Sequence, residues 1–135
     1  MGSCVVGVLI MDGHIYLGNK GDCEAMVVRE DPFTKKLGYE ILSEIHQPGN
    51  EKELEKLEAR NRNIWVNSGR IQTGHGNLAV SRSIGDFEYL PKSFPPQGWE
   101  SHEGLIDWLI RDTFTKETKM TSYDKYLFLF SDGLK

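Results

Sequence analysis

Three nearly unbroken apolar runs fill the first thirty residues, and the turn signals between them commit this part of the chain to β-structure. Val5-Val6-Gly7-Val8-Leu9-Ile10 is β-branched and apolar, the composition that suits a pleated, packed surface. Asp12-Gly13 follows, the strongest short hairpin signal because both residues accept the positive φ of a type I′ turn. Ile15-Tyr16-Leu17 then returns as the partner strand, and a two-residue turn sets Leu9 opposite Tyr16. Gly21-Asp22 marks a second tight turn, so Ala25-Met26-Val27-Val28 reads as the third strand of an antiparallel meander. All three runs are continuous rather than alternating, which predicts cover on both faces.

A fourth apolar run, Tyr126-Leu127-Phe128-Leu129-Phe130, reads as a strand buried on both faces. Ser131-Asp132-Gly133 places a carboxylate where that strand ends, a position suited to a metal. Leu134 and Lys135 close the chain, so the expectation is a fragment whose continuation beside Asp132 lies elsewhere.

The middle is more polar. Asn50 with Glu53 resembles a capping box opening a surface helix over Glu51 to Arg62, with Leu54 and Leu57 on one face. Ile64-Trp65-Val66 and Gly69-Arg70-Ile71 read as short strands around a turn at Asn67-Ser68-Gly69. Leu78 to Phe87 is a mixed segment, and Pro91 to Gly98 a proline-rich loop. Ser101 is placed to cap a second helix across Leu105 to Ile110.

A formal net charge of -4 and a pI near 5.6 argue against a nucleic-acid binder, whose affinity rests on clustered Lys and Arg. The Val5 to Met11 run is too short to span a bilayer and has no basic stretch before it, so neither membrane anchor nor signal peptide is expected and a cytosolic or nuclear location is the default. Cys4 and Cys23 fit a reducing compartment better than a disulfide, and the scattered histidines argue against structural zinc.

Several polar motifs have ordinary explanations. Asp12-Gly13-His14 is a hairpin tip, and Thr73-Gly74-His75-Gly76 reads as loop geometry rather than a phosphate cradle. Gly21-Asp22 is ambiguous, because Asp after Gly is common both in turns and at the ends of metal-bearing strands. Arg82 among small and apolar residues, followed by Gly85-Asp86, suggests a partly buried ion pair, with structural duty favoured over catalysis.

Together these segments resemble the metal-dependent protein serine/threonine phosphatases of type 2C, also called the PPM family. Gly2-Ser3-Cys4-Val5 is similar to the family's Gly-Ser-Thr-Ala strand start, and Asn19 to Ala25 to its Asn-x-Gly-Asp-Ser-Arg-Ala turn. His46-Gln47-Pro48 resembles its His-x-Pro before a helix. Leu78 to Asp86 matches Leu-Ala-Val-Ser-Arg-x-x-Gly-Asp, and Ser131 to Leu134 matches Ser-Asp-Gly-Leu. The matches keep the family's order across essentially the whole chain.

The resemblance implies an α+β fold, an α-β-β-α sandwich of two antiparallel sheets flanked by helices, with residues 1–135 forming an incomplete domain. It implies a two-metal site for Mn²⁺ or Mg²⁺ that activates water against phosphoserine or phosphothreonine in a phosphoprotein substrate. Asp132 would be a direct metal ligand at a turn that Gly133 allows, Asp22 would look toward a more weakly held metal, and Arg82, Asp86 and Ser131 would support the site. The family's N-terminal Asp-Gly-His-Gly-Gly turn and its later Gly-Asp-Asn ligand have no counterpart here, while Cys4, Cys23, Glu24 and Lys135 replace customary residues. Two carboxylates cannot satisfy two hard cations, so this chain alone is expected to be a poor catalyst. Its uncovered apolar surface is expected to favour self-association. A catalytically inactive relative that binds partners is the alternative.

Overall fold

The tight turn at Asp12-Gly13 forms as its composition demands, with φ of 50° and 74°. The computed structural model describes residues 2–60, 64–73, 76–86 and 109–131, which fall into two compact units. One unit takes residues 4–45 and 113–135, the other residues 1–3 and 46–112.

In the first unit, β2 (Val5–Met11) and β3 (His14–Lys20) form the expected hairpin, and Leu9 does face Tyr16. β10 (Phe114–Lys119) pairs with the other edge of β3, giving the order β10-β3-β2. The strand after Gly21-Asp22, β4 (Glu24–Glu30), does not extend this meander. It crosses to a second sheet, ordered β11-β4-β5, with β5 (Leu37–Ile41) and β11 (Asp124–Phe130) antiparallel on its two sides. Gly21, at φ 100°, takes a backbone shape that L side chains rarely adopt, and the chain changes sheets there.

The core lies between these sheets. Ile15 and Leu17 alternate inward from β3, Ala25 and Val27 from β4, and Leu42 follows β5, with Val6, Val8, Phe114 and Leu127 packed against them. Each fully buried aliphatic chain contributes about 1.5–3 kcal/mol relative to exposure. The expectation of cover on both faces fails among the described residues. In β11 the exposed side chains include Tyr126 and Phe128, and in β2 they include Val5 and Leu9. Exposure is not confined to one face, since Ile10 and Leu129, in phase with the inward Val8 and Leu127, are exposed too, whereas Tyr16, Met26 and Val28 of β3 and β4 stay half-buried.

Polar groups complete this unit. Asn19, fully buried, donates from Nδ2 to the Glu44 carbonyl at 2.8 Å and accepts from the Glu44 amide at 3.2 Å. That pair fixes the chain after β5 without leaving a buried backbone group unmet. At the other end Arg29 donates to Asp124 Oδ1 at 2.6 Å and also bonds Glu40, while Lys116 Nζ reaches Glu40 Oε1 at 3.0 Å. Glu40 thus ties β10 of one sheet to β4 and β5 of the other.

In the second unit, Asn50 caps α1 (Glu51–Arg60) by accepting the Lys52 amide on its side-chain oxygen at 3.0 Å. The helix is not simply a surface helix with a capping box. Glu53 is buried and makes its bonds to a distant segment instead of to its own cap. β6 (Trp65–Asn67), β7 (Arg70–Thr73) and β8 (Gly76–Leu78) form a small antiparallel sheet, turning at Ser68-Gly69 as expected. Leu57 of α1 packs with Ile71, Leu78, Leu109 and Ile110. Leu109 and Ile110 are not helical; the rest of the expected second helix and the Pro91 to Gly98 loop lie outside the described residues. β1 (Gly2–Ser3) pairs with β9 (Ile84–Gly85), which lies within the mixed Leu78 to Phe87 segment.

Candidate active site

Phe130 pairs with Glu24, so Ser131 leaves β11 at the same end of the ladder where Asp22 enters β4. Two of the residues singled out from the sequence are therefore brought to one end of one sheet. Asp132 and Gly133 follow Ser131 directly in the chain and lie outside the described residues.

The Gly21-Asp22 corner is closely packed. A Cβ added to Gly21 would sit 2.3 Å from Cys4 Sγ. Burial is the main cause that pushes the Cys4 thiol up to about 11, with the Asp22 carboxylate adding to it and a backbone hydrogen bond with Asp22 opposing. Neither Cys4 nor Cys23 is in a disulfide. The Cys4 and Cys23 replacements thus flank the candidate Asp22 rather than forming a bridge.

Arg82 and Asp86 belong to the other unit and do not pair with each other. Arg82 donates through Nε to Glu53 Oε2 at 2.8 Å, through NH2 to Glu53 Oε1, and through NH1 to the Asp112 carbonyl at 3.0 Å. Ser81 Oγ donates to the same carboxylate at 2.6 Å, and Lys56 Nζ lies 3.1 Å away. Burial pushes the Glu53 carboxyl up, but the bonds from Arg82, Ser81 and Lys56 together outweigh it and hold the group at about 2. Asp86, at φ 49°, accepts from Ser83 Oγ at 2.7 Å and packs against Gly2, where a Cβ would fall 1.8 Å from Asp86 Oδ2. Arg82 is thus a structural anchor of α1, and Asp86 abuts the β1–β9 pair.

Glu53 is the residue that sequence reasoning missed. Its position four residues before the buried Leu57 was an available signal, since i and i+4 share one helical face.

The family model of Protein phosphatase 2C matches residues 1–135. The chain belongs to the protein phosphatase 2C family. It is 33% identical over 135 residues to Probable protein phosphatase 2C 30 of Arabidopsis thaliana, covering 98% of this chain and 28% of that protein. It is 30% identical over 137 residues to Probable protein phosphatase 2C 5 of Paramecium tetraurelia, covering 99% of this chain and 40% of that protein. Among solved structures, serine-threonine phosphatase 2C from Toxoplasma gondii superposes with a TM-score of 0.67 at 19% identity, over 97% of this chain and 41% of that one. This protein phosphatase 2C chain therefore spans between about a quarter and two fifths of the curated relatives it matches. The mostly antiparallel sheets with one helix among the described residues agree with that structural likeness.

No group of three His, Cys, Asp or Glu side chains able to hold a metal occurs among the described residues. Asp22 alone is not a metal centre, because a hard divalent cation takes about six oxygen ligands or more. The described donors do not fit a two-metal site by themselves. Among the described residues no helix is long and apolar enough to cross a membrane.

Proposed function

We propose that this chain is part of a protein phosphatase that hydrolyses phosphoserine and phosphothreonine in phosphoprotein substrates with a Mn²⁺- or Mg²⁺-activated water. The observation that carries the reading is the family match over all 135 residues, supported by the shared end of β4 and β11 where Asp22 and Ser131 emerge. In this reading the two sheets of the first unit are the inner layers of an α-β-β-α sandwich. Asp132, the second residue after β11 in the chain, would supply a metal-ligating carboxylate with Gly133 next to it in sequence, and Asp22 would offer a second carboxylate at the sheet-crossing corner. The metal would lower the pKa of a bound water and neutralise charge on the phosphoryl oxygens. Ser131 would support the backbone leading to Asp132, while Arg82 and Asp86 would support backbone within the second unit, none of the three touching phosphate.

The test is release of phosphate from a phosphothreonine peptide by the full natural polypeptide, with and without Mn²⁺, beside its Asp132→Asn and Asp22→Asn variants. Metal-dependent release that Asp132→Asn abolishes supports the proposal. Release that is indifferent to Mn²⁺ and to Asp132→Asn, or no release by the natural polypeptide, overturns it. The second of these results would favour an inactive binding module.

A further inference from the structure

The end of the first unit away from Asp22 and Ser131 combines a hydrogen-bonded loop, several lysines and exposed apolar side chains. β4 runs out there into a loop whose backbone is tied across itself. Asp31 Oδ1 accepts from the Phe33 amide at 2.9 Å and the Thr34 amide at 2.6 Å; the Asp31 amide donates to the Lys36 carbonyl at 2.8 Å, and the Lys35 amide to the Asp31 carbonyl at 3.0 Å. Phe33 stands on this loop 91% exposed. A loop backbone already tied loses little freedom on binding, so the ordering cost at Phe33 is confined to its own side-chain rotamers.

β5 follows the loop, and among the described residues it pairs only with β4. Its other edge presents backbone donors and acceptors with no strand beside them, and Leu37 and Tyr39 on it are 61% and 72% exposed. A groove of about 600 Å³ runs alongside, lined in part by Pro32, Lys36, Gly38, Lys119 and Tyr123. The charges around it are unevenly matched. Glu30 lies beside Lys35 and Lys125, Glu40 is bonded to Arg29 and Lys116, and Asp31 keeps its negative charge while its Oδ1 accepts from backbone amides, so Arg29 with Lys35, Lys36, Lys116, Lys119 and Lys125 still outnumber Glu30, Asp31, Glu40 and Asp124. Lys36 and Lys119, which line the groove, have no carboxylate within 4.0 Å among the described residues.

We propose that this groove docks an extended, acidic segment of another protein, which adds as a strand along the open edge of β5. Its carboxylates meet Lys36 and Lys119, and an apolar side chain on it packs against Phe33. Main-chain bonding along β5 supplies affinity that is tolerant of sequence, while the two lysines and the aromatic select for charge and for an apolar anchor. The inference is independent of the phosphatase reading, because it concerns binding at the other end of the sheets.

A fluorescein-labelled peptide alternating glutamate with valine is titrated with the chain by fluorescence anisotropy, and amide shifts are followed by NMR on labelled protein. Binding is expected, with shifts concentrated at Leu37 to Ile41 and an affinity that falls as salt is raised. The double variant Lys36→Glu/Lys119→Glu weakens it by tenfold or more on the order of what like-charge apposition costs, and Phe33→Ala by about tenfold. Well-dispersed amide spectra of the variants confirm that they remain folded. The proposal is overturned by absence of binding to the native chain, by equal binding of a lysine–valine peptide or an oligothymidylate, or by equal affinity in the charge-reversed variant. It is overturned equally if shifts at β5 appear only with rising protein concentration, which would make a second copy of the chain the occupant.

Discussion

Glu53 and Arg82 stand 29 residues apart in the chain, yet both oxygens of the one accept from the guanidinium of the other in an almost water-free setting. Taking two charges out of water is costly, and only a geometry this complete offsets it. Ser81 and Lys56 add donors to the carboxylate, and the Asp112 carbonyl accepts from the guanidinium. The pair fastens α1 to the segment that leads into β9.

Arg82→Met is expected to lower unfolding free energy by about 3–5 kcal/mol, because it leaves Glu53 charged, buried and short of donors. Glu53→Gln costs less than Arg82→Met if the amide keeps the Ser81 bond. Combining Arg82→Met with Glu53→Leu recovers a large share of the loss, since no buried charge then remains. Urea denaturation of the three variants beside the native chain measures this; an Arg82→Met cost below about 1 kcal/mol would show the pair to be solvated.

The same pair sets an acid limit on stability. Glu53 titrates near 2 in the folded chain against 4.5 ordinarily. A depressed folded value means that the contribution is present in full above pH 4.5 and is lost as pH falls toward 2. The difference corresponds to about 3 kcal/mol at neutral pH. Thermal unfolding followed from pH 6 down to pH 2 in the native chain and in the Arg82→Met/Glu53→Leu double variant checks it: the double variant is expected to lose less stability across that window.

The hairpin at Asp12-Gly13 was legible because local chemistry alone dictates it: positive φ selects the residues, and loop length sets the register. The corner at Gly21-Asp22 uses the same kinds of residue, and nothing local says whether the chain turns back or crosses to another sheet. That choice is settled by where Ala25 and Val27 find apolar partners, which are distant in sequence. Glu53 was misread for a related reason, since the order Asn50 to Glu53 fits a capping box whichever way the carboxylate turns. Its partner is nearly thirty residues away. Continuous apolar strands likewise misled, because Tyr126 and Phe128 have the hydrophobicity of core residues but are exposed in the described fold. Of the candidate site, the meeting of Asp22 and Ser131 depends on β11 pairing antiparallel with β4, a choice of neighbour that no local signal in the sequence fixes.

Arg29 offers a milder version of the Arg82 experiment. The Asp124 side chain is only 5% exposed, and although burial pushes its carboxyl up, bonds from Thr121 and Arg29 bring it below the usual carboxylate range. Arg29→Ala removes the charged partner of Asp124 and one of the two cations on Glu40. The expected cost is about 2 kcal/mol, less than for Arg82 because Arg29 itself is partly exposed and its pairs are screened. High salt is expected to narrow the gap between Arg29→Ala and the native chain. Paired urea melts at low and high salt measure this, and an equal gap in both would assign the loss to packing of the Arg29 stem.

Gly21 and Gly7 make a matched comparison within one sheet system. Gly21 has φ 100° and would drive a methyl to 2.3 Å from Cys4 Sγ, while a methyl on Gly7 meets nothing within 4 Å. Gly21→Ala therefore combines a strained backbone with a collision at the corner where the chain changes sheets, and is expected to cost about 1–3 kcal/mol. Gly7→Ala is expected to be neutral or to stabilise by up to about 1 kcal/mol, because it lowers the entropy of the unfolded chain at no steric cost. The double variant Gly21→Ala/Cys4→Gly, measured beside Cys4→Gly alone, separates the two causes. Removing both Cys4 Sγ and Cys4 Cβ, which the new methyl would meet at 2.3 and 2.5 Å, relieves the side-chain collision but leaves the positive φ, so a part of the loss persists. Complete recovery would mean that the φ at Gly21 is not a requirement of the crossing, and that the corner relaxes to accept an L side chain.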